Sequence, residues 1–388
     1  MSPRRSRLRP DLGRTSSAPD HGRTSSAPDH GRTSSAPDHG RTSSAPDHGR
    51  TSSATHLART SSAPHLGRTL AALLLGLALA APTTACHRDA SASAPAKAPA
   101  GTWSRLAADP TIGVYTSSEW GFATASYWIE GEEGVVVIDT QFLPSAAAEL
   151  IDAAESTTGK KVLAAIVLHA NPDKFNGAAT FQARGIEVLT SDQVLALIPH
   201  VHEIRTDAFY ERYKPDYPEV LPKPSSLGGE TRTLRFGDVE LTAHVLGPGC
   251  SGAHVVVTHG AHAFVGDLVA NGAHSWLELG LTPEWHERLR EIEAMGATSI
   301  HPGRGASGGP ELLAAEHAYL DRVSALVASE RASRVKDGVE PPKPEVKAAL
   351  ARVKATLEQE YAGYRYAIFL AIGLPAEWRR QAAAGDAG

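Results

Sequence analysis

The stretch His169-Ala170-Asn171-Pro172-Asp173-Lys174-Phe175-Asn176-Gly177 decides how the rest of this chain is read. The apolar run before it, residues 162–168, lacks polar alternation and predicts a strand buried on both faces. Residues 175–184 after it read as a short helix. A His, an Asn, an Asp and a Lys therefore stand together in the loop between a buried strand and a helix.

Working outward, the same punctuation recurs. Residues 113–115 and 125–129 read as strands, and Val135-Val136-Val137-Ile138 as another buried on both faces, ending at Asp139-Thr140. Residues 144–156 have helical spacing with a Pro near the start. Residues 185–189 read as a strand, 234–246 as a hairpin around Gly237-Asp238, and 255–257 with 263–265 as a second hairpin. Helices are expected over 283–295 and 310–329, with a short strand at 299–300 between them. The break Pro341-Pro342-Lys343-Pro344 precedes two further helices through Gln381. Residues 200–228, rich in Tyr and Pro, read as a loop or partial helix overhanging a site. Strands and helices in one half, repeated in the other, imply an α+β class chain.

Five pieces then fall in a recognisable order: Asp139-Thr140, the stretch 169–177, Gly247-Pro248-Gly249-Cys250-Ser251, Val265-Gly266-Asp267 and Pro302-Gly303-Arg304-Gly305. Their order and rough spacing resemble the metallo-β-lactamase superfamily, over roughly residues 103–305. The resemblance implies a four-layer αββα sandwich, here with a helical C-terminal extension. In that family the first loop reads His-x-His-x-Asp-His. A His in the turn, the Asp of the Gly-Asp pair and a last His complete seven groups that hold two metal ions around a hydroxide.

Carried over position by position, His169, Asp173 and Asp267 keep the family residue, and as catalytic positions the resemblance points to Asp173 and His169. Asn171 stands for the second His, Lys174 for the third, Cys250 for the fourth and Arg304 for the last. Asn is a poor zinc ligand, and Lys and Arg normally carry a proton in place of a free electron pair. Asp173, Lys174, Asp267 and Arg304 map to the second metal site, where two imidazoles have become two cations beside two carboxylates. Adjacent carboxylates without a metal repel and are costly to bury. The expectation is an internal salt-bridge cluster in place of the second ion, with Arg suited to bidentate pairing.

The first site keeps His169 and Cys250 beside Asn171. With Asp173 or Asp267, these can still hold one zinc ion, since thiolate is a good ligand. The plainer alternative is a buried filler thiol and a hydrogen-bonded core His. A two-metal site is not expected. His200-Val201-His202-Glu203 offers two imidazoles on one side of a strand-like segment, as lid ligands or as packing. His254 and His301 flank motif positions, and His274 and Trp276 follow the Gly-Asp pair at a pocket edge. The Cys250 thiol beside a His also allows nucleophilic chemistry.

The first quarter of the chain differs in kind. From Gly13 the nonamer GRTSSAPDH repeats four times through His48 and then decays. Such a polar repeat cannot bury a core, so residues 1–67 are expected to be a disordered tail or tandem DNA translated ahead of the true start. Residues 68–86 hold Arg68, the apolar run LAALLLGLALAA and Thr83-Thr84-Ala85-Cys86. A basic flank, an apolar stretch and a small-residue exit predict a secretory signal, and the run falls short of the roughly 20 residues of a spanning helix. Its end resembles a bacterial lipobox with Thr where Leu is usual, which implies lipidation of Cys86 and export to the cell envelope. Residues 87–102 would be the tether, 103–309 the folded domain and 310–388 the helical extension.

The first 85 residues hold 11 basic and 5 acidic side chains, leaving 27 and 38 in the remainder, a net charge of −11. An acidic exported domain argues against nucleic acid as a partner. It leaves a small-molecule ligand or substrate, and the membrane through the lipid anchor. With Cys86 acylated, Cys250 has no disulfide partner. Two functions remain open: a single-metal hydrolase of an ester, amide or thioester, and a non-catalytic relative that binds a ligand in the old cleft.

Overall fold

Val135-Val136-Val137-Ile138 is apolar on both sides because strand β4 (Val135–Ile138) lies inside a sheet covered on both faces. The computed structural model describes residues 98–336 and 338–385. Its first sheet runs β1 (Thr102–Arg105), β2 (Ile112–Thr116), β3 (Ala125–Glu130), β4, β5 (Val162–Ile166), β6 (Glu187–Thr190) and β7 (Ser225–Ser226) in that spatial order. Pairing is antiparallel from β1 to β4 and parallel from β4 onward. The change of sense follows from the connections. A tight turn joins β3 to β4, whereas helices α1 (Pro144–Thr158) and α3 (Ala178–Ala183) carry the chain back between the parallel strands.

The second sheet has the order β12 (Ser299–Arg304), β11 (His262–Ala270), β10 (His254–His259), β9 (Val239–Leu246) and β8 (Arg232–Phe236). Its pairs are antiparallel except β11 with β12, which are joined through helix α5 (Thr282–Ala294). Alternation along β10 sorts the core. Val255 and Val257 pack towards the first sheet, while Val256 packs towards the helices. Tyr127 on β3 closes the gap between sheets, its hydroxyl donating to the Pro302 carbonyl at 2.9 Å.

The outer face of the second sheet is covered by α5, α6 (Glu311–Ala332), α7 (Lys343–Glu360) and α8 (Ile368–Gly385). Leu313, Leu320, Val323, Val353 and Leu370 share one apolar cluster with Val256, Ala263 and Val265. The helical extension of residues 310–385 thus packs with α5 on this face of the second sheet. The α+β, four-layer αββα architecture is the one the sequence implies. Thr102, expected as the last residue of a tether, is the first residue of β1 and pairs with Thr116 of β2.

Two expectations need correction. Residues 175–184 are not one helix. Asn176-Gly177 separates α2 (Pro172–Phe175) from α3, because a side chain at Gly177 would meet the Thr140 carbonyl oxygen at 1.9 Å. The segment from His200 is the partial helix of the two readings, but residues 200–203 are not strand-like. Helix α4 (Asp192–Tyr213) runs through it, begun by Ser191, whose hydroxyl accepts from the Val194 amide, and irregular chain starts only at Lys214. Alternate helical positions lie on different sides, so His200 faces solvent while His202 is buried, and the pair offers no common ligand face.

Candidate functional site

The site lies where strands of both sheets end. Asp139, just beyond β4, has φ +65 and accepts the Leu168 amide at 2.9 Å, which ties the ends of β4 and β5 together. From β5 the chain enters the loop of His169 and Asn171. Pro172, preset for a first helical turn, then starts α2 and brings Asp173 and Lys174 inward. Asp267 comes from β11, where the pairing with β12 slips on either side of Gly266, and Arg304 is the last residue of β12. The turn after β9 delivers Cys250, and His254 opens β10.

Lys174 is fully buried, and its Nζ lies 3.1 Å from Asp173 Oδ2, 2.9 Å from Asp267 Oδ1 and 3.9 Å from Asp139 Oδ2. Arg304 completes a bridge, Nη1 to Asp267 Oδ2 at 2.5 Å and Nη2 to Asp173 Oδ2 at 2.7 Å. Thr124 Oγ1 donates to the same Asp173 oxygen at 3.2 Å. Two cations thus stand against two carboxylates. Burial alone would raise the Asp173 and Asp267 pKa values, but Lys174 and Arg304 outweigh it and hold both below the usual carboxylate range. The same pairing outweighs burial for Lys174 and Arg304, whose pKa values are raised. Asp139, farther from Lys174, is pushed up by burial to about 8 and is mainly protonated at neutral pH.

Beside this cluster sits a second group. Ring or thiol atoms of His169, Cys250 and His254 all lie within 4.8 Å of one another. His169 is fully buried with neither ring nitrogen hydrogen-bonded among the described residues, and burial pushes its pKa down to about 4. Cys250 Sγ is 3.8 Å from His254 Nε2, which also accepts the Ser251 amide at 3.1 Å. Burial raises the Cys250 pKa well above the usual thiol value and lowers that of His254 well below the usual imidazole value.

The two groups answer the question of metal differently. Between Asp173 and Asp267, Asp173 Oδ2 and both Asp267 oxygens are already engaged by Lys174 and Arg304, whose fixed positive charges occupy the place of a second ion, so the residues there do not fit one. The His169–Cys250–His254 group fits a single soft-to-borderline ion such as zinc, since two unpartnered nitrogens in a dry site are costly and a thiol is a good donor. His254 would first have to release the Ser251 amide.

A cavity of about 400 Å³ opens onto only one of the two groups. Its floor carries Asn171, Asp173, Asp267 and Arg304, and its walls carry Phe122, Phe142, Phe209, Trp276 and Phe369. His169, Cys250 and His254 do not line it. On α4 the lining residues are Arg205, Ala208, Phe209 and Arg212, spaced as one helical stripe.

The structure thus brings together His169, Asp173, Lys174, Cys250, Asp267 and Arg304, with Asn171 at the cavity floor. His254, noted in the sequence only as a motif neighbour, joins His169 and Cys250. Trp276 lines the cavity, whereas His274 is buried with its Nδ1 2.9 Å from the Tyr319 hydroxyl. His301 lies apart from the site, hydrogen-bonded to Ser307 at 2.8 Å and to His262 at 3.0 Å. Cys86 lies outside the described residues. The phenylalanines of the aromatic walls and the α4 stripe were missed. The spacing 205, 208, 209, 212 was the available signal for the stripe.

The sequence model of the metallo-beta-lactamase superfamily matches residues 120–304, ending on Arg304. No curated protein matches the chain. Among solved structures, a metallo-beta-lactamase from Pontibacter korlensis is 19% identical, covering 57% of this chain and 99% of its own, with a TM-score of 0.45. The metallo-beta-lactamase FIM-1 from Pseudomonas aeruginosa, in its mono-zinc form, is 17% identical over 58% of this chain and 97% of its own, with a TM-score of 0.46. Over residues 120–304, a little under half of its length, this chain is therefore similar to the metallo-beta-lactamase superfamily, and its two sheets with flanking helices agree with that match.

Proposed function

We propose that this protein binds a small molecule in its cleft without two-metal hydrolysis, with Lys174 and Arg304 standing in for the second ion. The observation that carries this reading is the Arg304 guanidinium bridging Asp173 and Asp267, with Lys174 Nζ against both. A guanidinium and an ammonium supply the charge that a divalent ion would supply, but they provide no open coordination position to activate water. Arg304 and both carboxylates face the cavity, so a ligand entering it meets this cluster first.

A second reading, a single-metal hydrolase, is favoured by the unpartnered nitrogens of His169 beside Cys250 and His254. Bound zinc would polarise an ester, amide or thioester carbonyl or lower the pKa of a water. For this chain the role of His169 and His254 would be to present neutral imidazole, and that of Asp173 to orient the substrate at the cavity floor.

One experiment separates the two. Protein purified without an affinity tag is assayed for bound metal and for turnover of a generic ester and a chromogenic β-lactam, with and without chelator. The binding reading expects at most one ion per chain and no chelator-sensitive turnover. Turnover that disappears with chelator and in His169→Ala would establish the hydrolase and overturn the binding reading.

We also propose that the chain is exported to the cell envelope and anchored by an acyl group on Cys86. Its partners would then be the membrane and a small molecule, and not nucleic acid. The apolar run of residues 70–81 and the net charge of the later residues support this.

A further inference from the structure

The cavity's chemistry is unevenly distributed, and the unevenness specifies a ligand. Its walls are largely aromatic, with Phe122, Phe142, Phe209, Trp276 and Phe369 surrounding about 400 Å³, a size suited to one small organic molecule. Rings prefer tilted and edge-on partners, and the wall already uses such contacts: Phe122 meets Phe142 at 5.0 Å and 78°. An aromatic body extends this packing.

The charges are almost all matched. Arg304 and Lys174 are matched by Asp173 and Asp267. Arg205 pairs with Glu278, and Lys354 with Glu358. Arg212 is the one lining cation with no carboxylate partner among the described residues. Its guanidinium lies over Trp120 at 5.1 Å and over Tyr213 at 5.3 Å, which orients the group while leaving its N–H edge free. On α4 it follows Phe209 by one helical turn, so charge and aromatic wall lie on the same stripe. At the floor, Arg304 Nε is buried without a partner among the described residues.

We infer that the cavity takes an organic monocarboxylate with an aromatic body, its ring among the phenylalanines and its carboxylate on Arg212. The inference rests on the binding reading of the same cleft and adds the ligand's class. A dianion would find only one unmatched cation. A cation would meet Arg212 unfavourably.

The test compares 6-phenylhexanoate with 6-phenylhexan-1-ol by calorimetric titration of the full protein at low and at physiological salt. The acid is expected to bind at least tenfold more tightly, with the ratio shrinking at higher salt because Arg212 is exposed. In Arg212→Gln the ratio should fall to near one, and Arg212→Lys should restore part of it. Phe369→Ala should weaken acid and alcohol alike, placing both in this cavity. Equal binding of acid and alcohol, or a ratio untouched by Arg212→Gln, overturns the monocarboxylate assignment while leaving the cleft a binding site. Absence of binding by either compound overturns the assignment together with the binding reading beneath it.

Discussion

Asp139 shows how one residue's surroundings set a measurable property of the whole domain. Its carboxyl is buried in a left-handed strand end, with one oxygen taken by the Leu168 amide and Lys174 only at 3.9 Å. Burial raises its pKa to about 8, so the folded state holds a proton that the unfolded chain releases. Its contribution to stability is therefore fully present below about pH 4 and is lost as pH rises towards 8. Asn cannot ionise. Asp139→Asn should gain on the wild type across that window, with a Tm advantage at pH 8 about 3–8 °C larger than at pH 5. A Tm difference that stays constant with pH would show that Asp139 remains ionised in the fold. Asp173 and Asp267 have the opposite sign. Their depressed values stabilise the fold above about pH 4, and this is lost as pH falls through them.

At this scale much was legible. The residue types at 173, 174, 267 and 304 carry balanced charges, and charge balance is a property of composition at matched positions. The role of His254 was not legible. Its distance from Cys250 depends on how the turn before β10 folds, with the Ser251 amide reaching the His254 ring.

Elements explain why the charged cluster is compact. Strand β12 passes so close to β11 that a side chain at Gly303 would lie 2.0 Å from Asp267 Oδ1 and 2.8 Å from Lys174 Nζ. A glycine at 303 therefore clears the space in which the ion pairs form. Gly303→Ala should push Asp267 away from Lys174 and cost about 1–3 kcal/mol, the range of overpacked interior sites. Chemical denaturation would measure it, and loss of less than about 0.5 kcal/mol, as at ordinary surface sites, would mean that the cluster rearranges freely. Helix α4 teaches the converse lesson. Its Pro199 and its mixture of charges obscured helical periodicity, yet the Ser191 cap starts it and packing of Tyr213 against Phe142 and Tyr217 holds it. Tertiary contacts there override a weak local signal.

For the whole molecule, the unaltered expectation is the anchor. Acylation of Cys86 predicts that the protein partitions into the detergent phase of a cloud-point extraction, and that Cys86→Ser moves it to the aqueous phase. Equal partitioning of the two would end the lipoprotein reading. The described residues contain no helix long and apolar enough to cross a membrane, which leaves this prediction to residues outside them. The sequence by itself determined the buried strands and their turns, which follow from local alternation and spacing, and its five ordered motifs carried the resemblance that implied the two-sheet architecture. It also determined which motif positions had exchanged imidazole for charge. Only the tertiary structure decided that Lys174 and Arg304 reach both carboxylates, that His169 faces Cys250 and His254 away from the cavity, and that α4 supplies an unmatched cation to an aromatic wall. Each of these is a distance between segments far apart in the chain, fixed by how two sheets and their helices pack and not by any local run of residues.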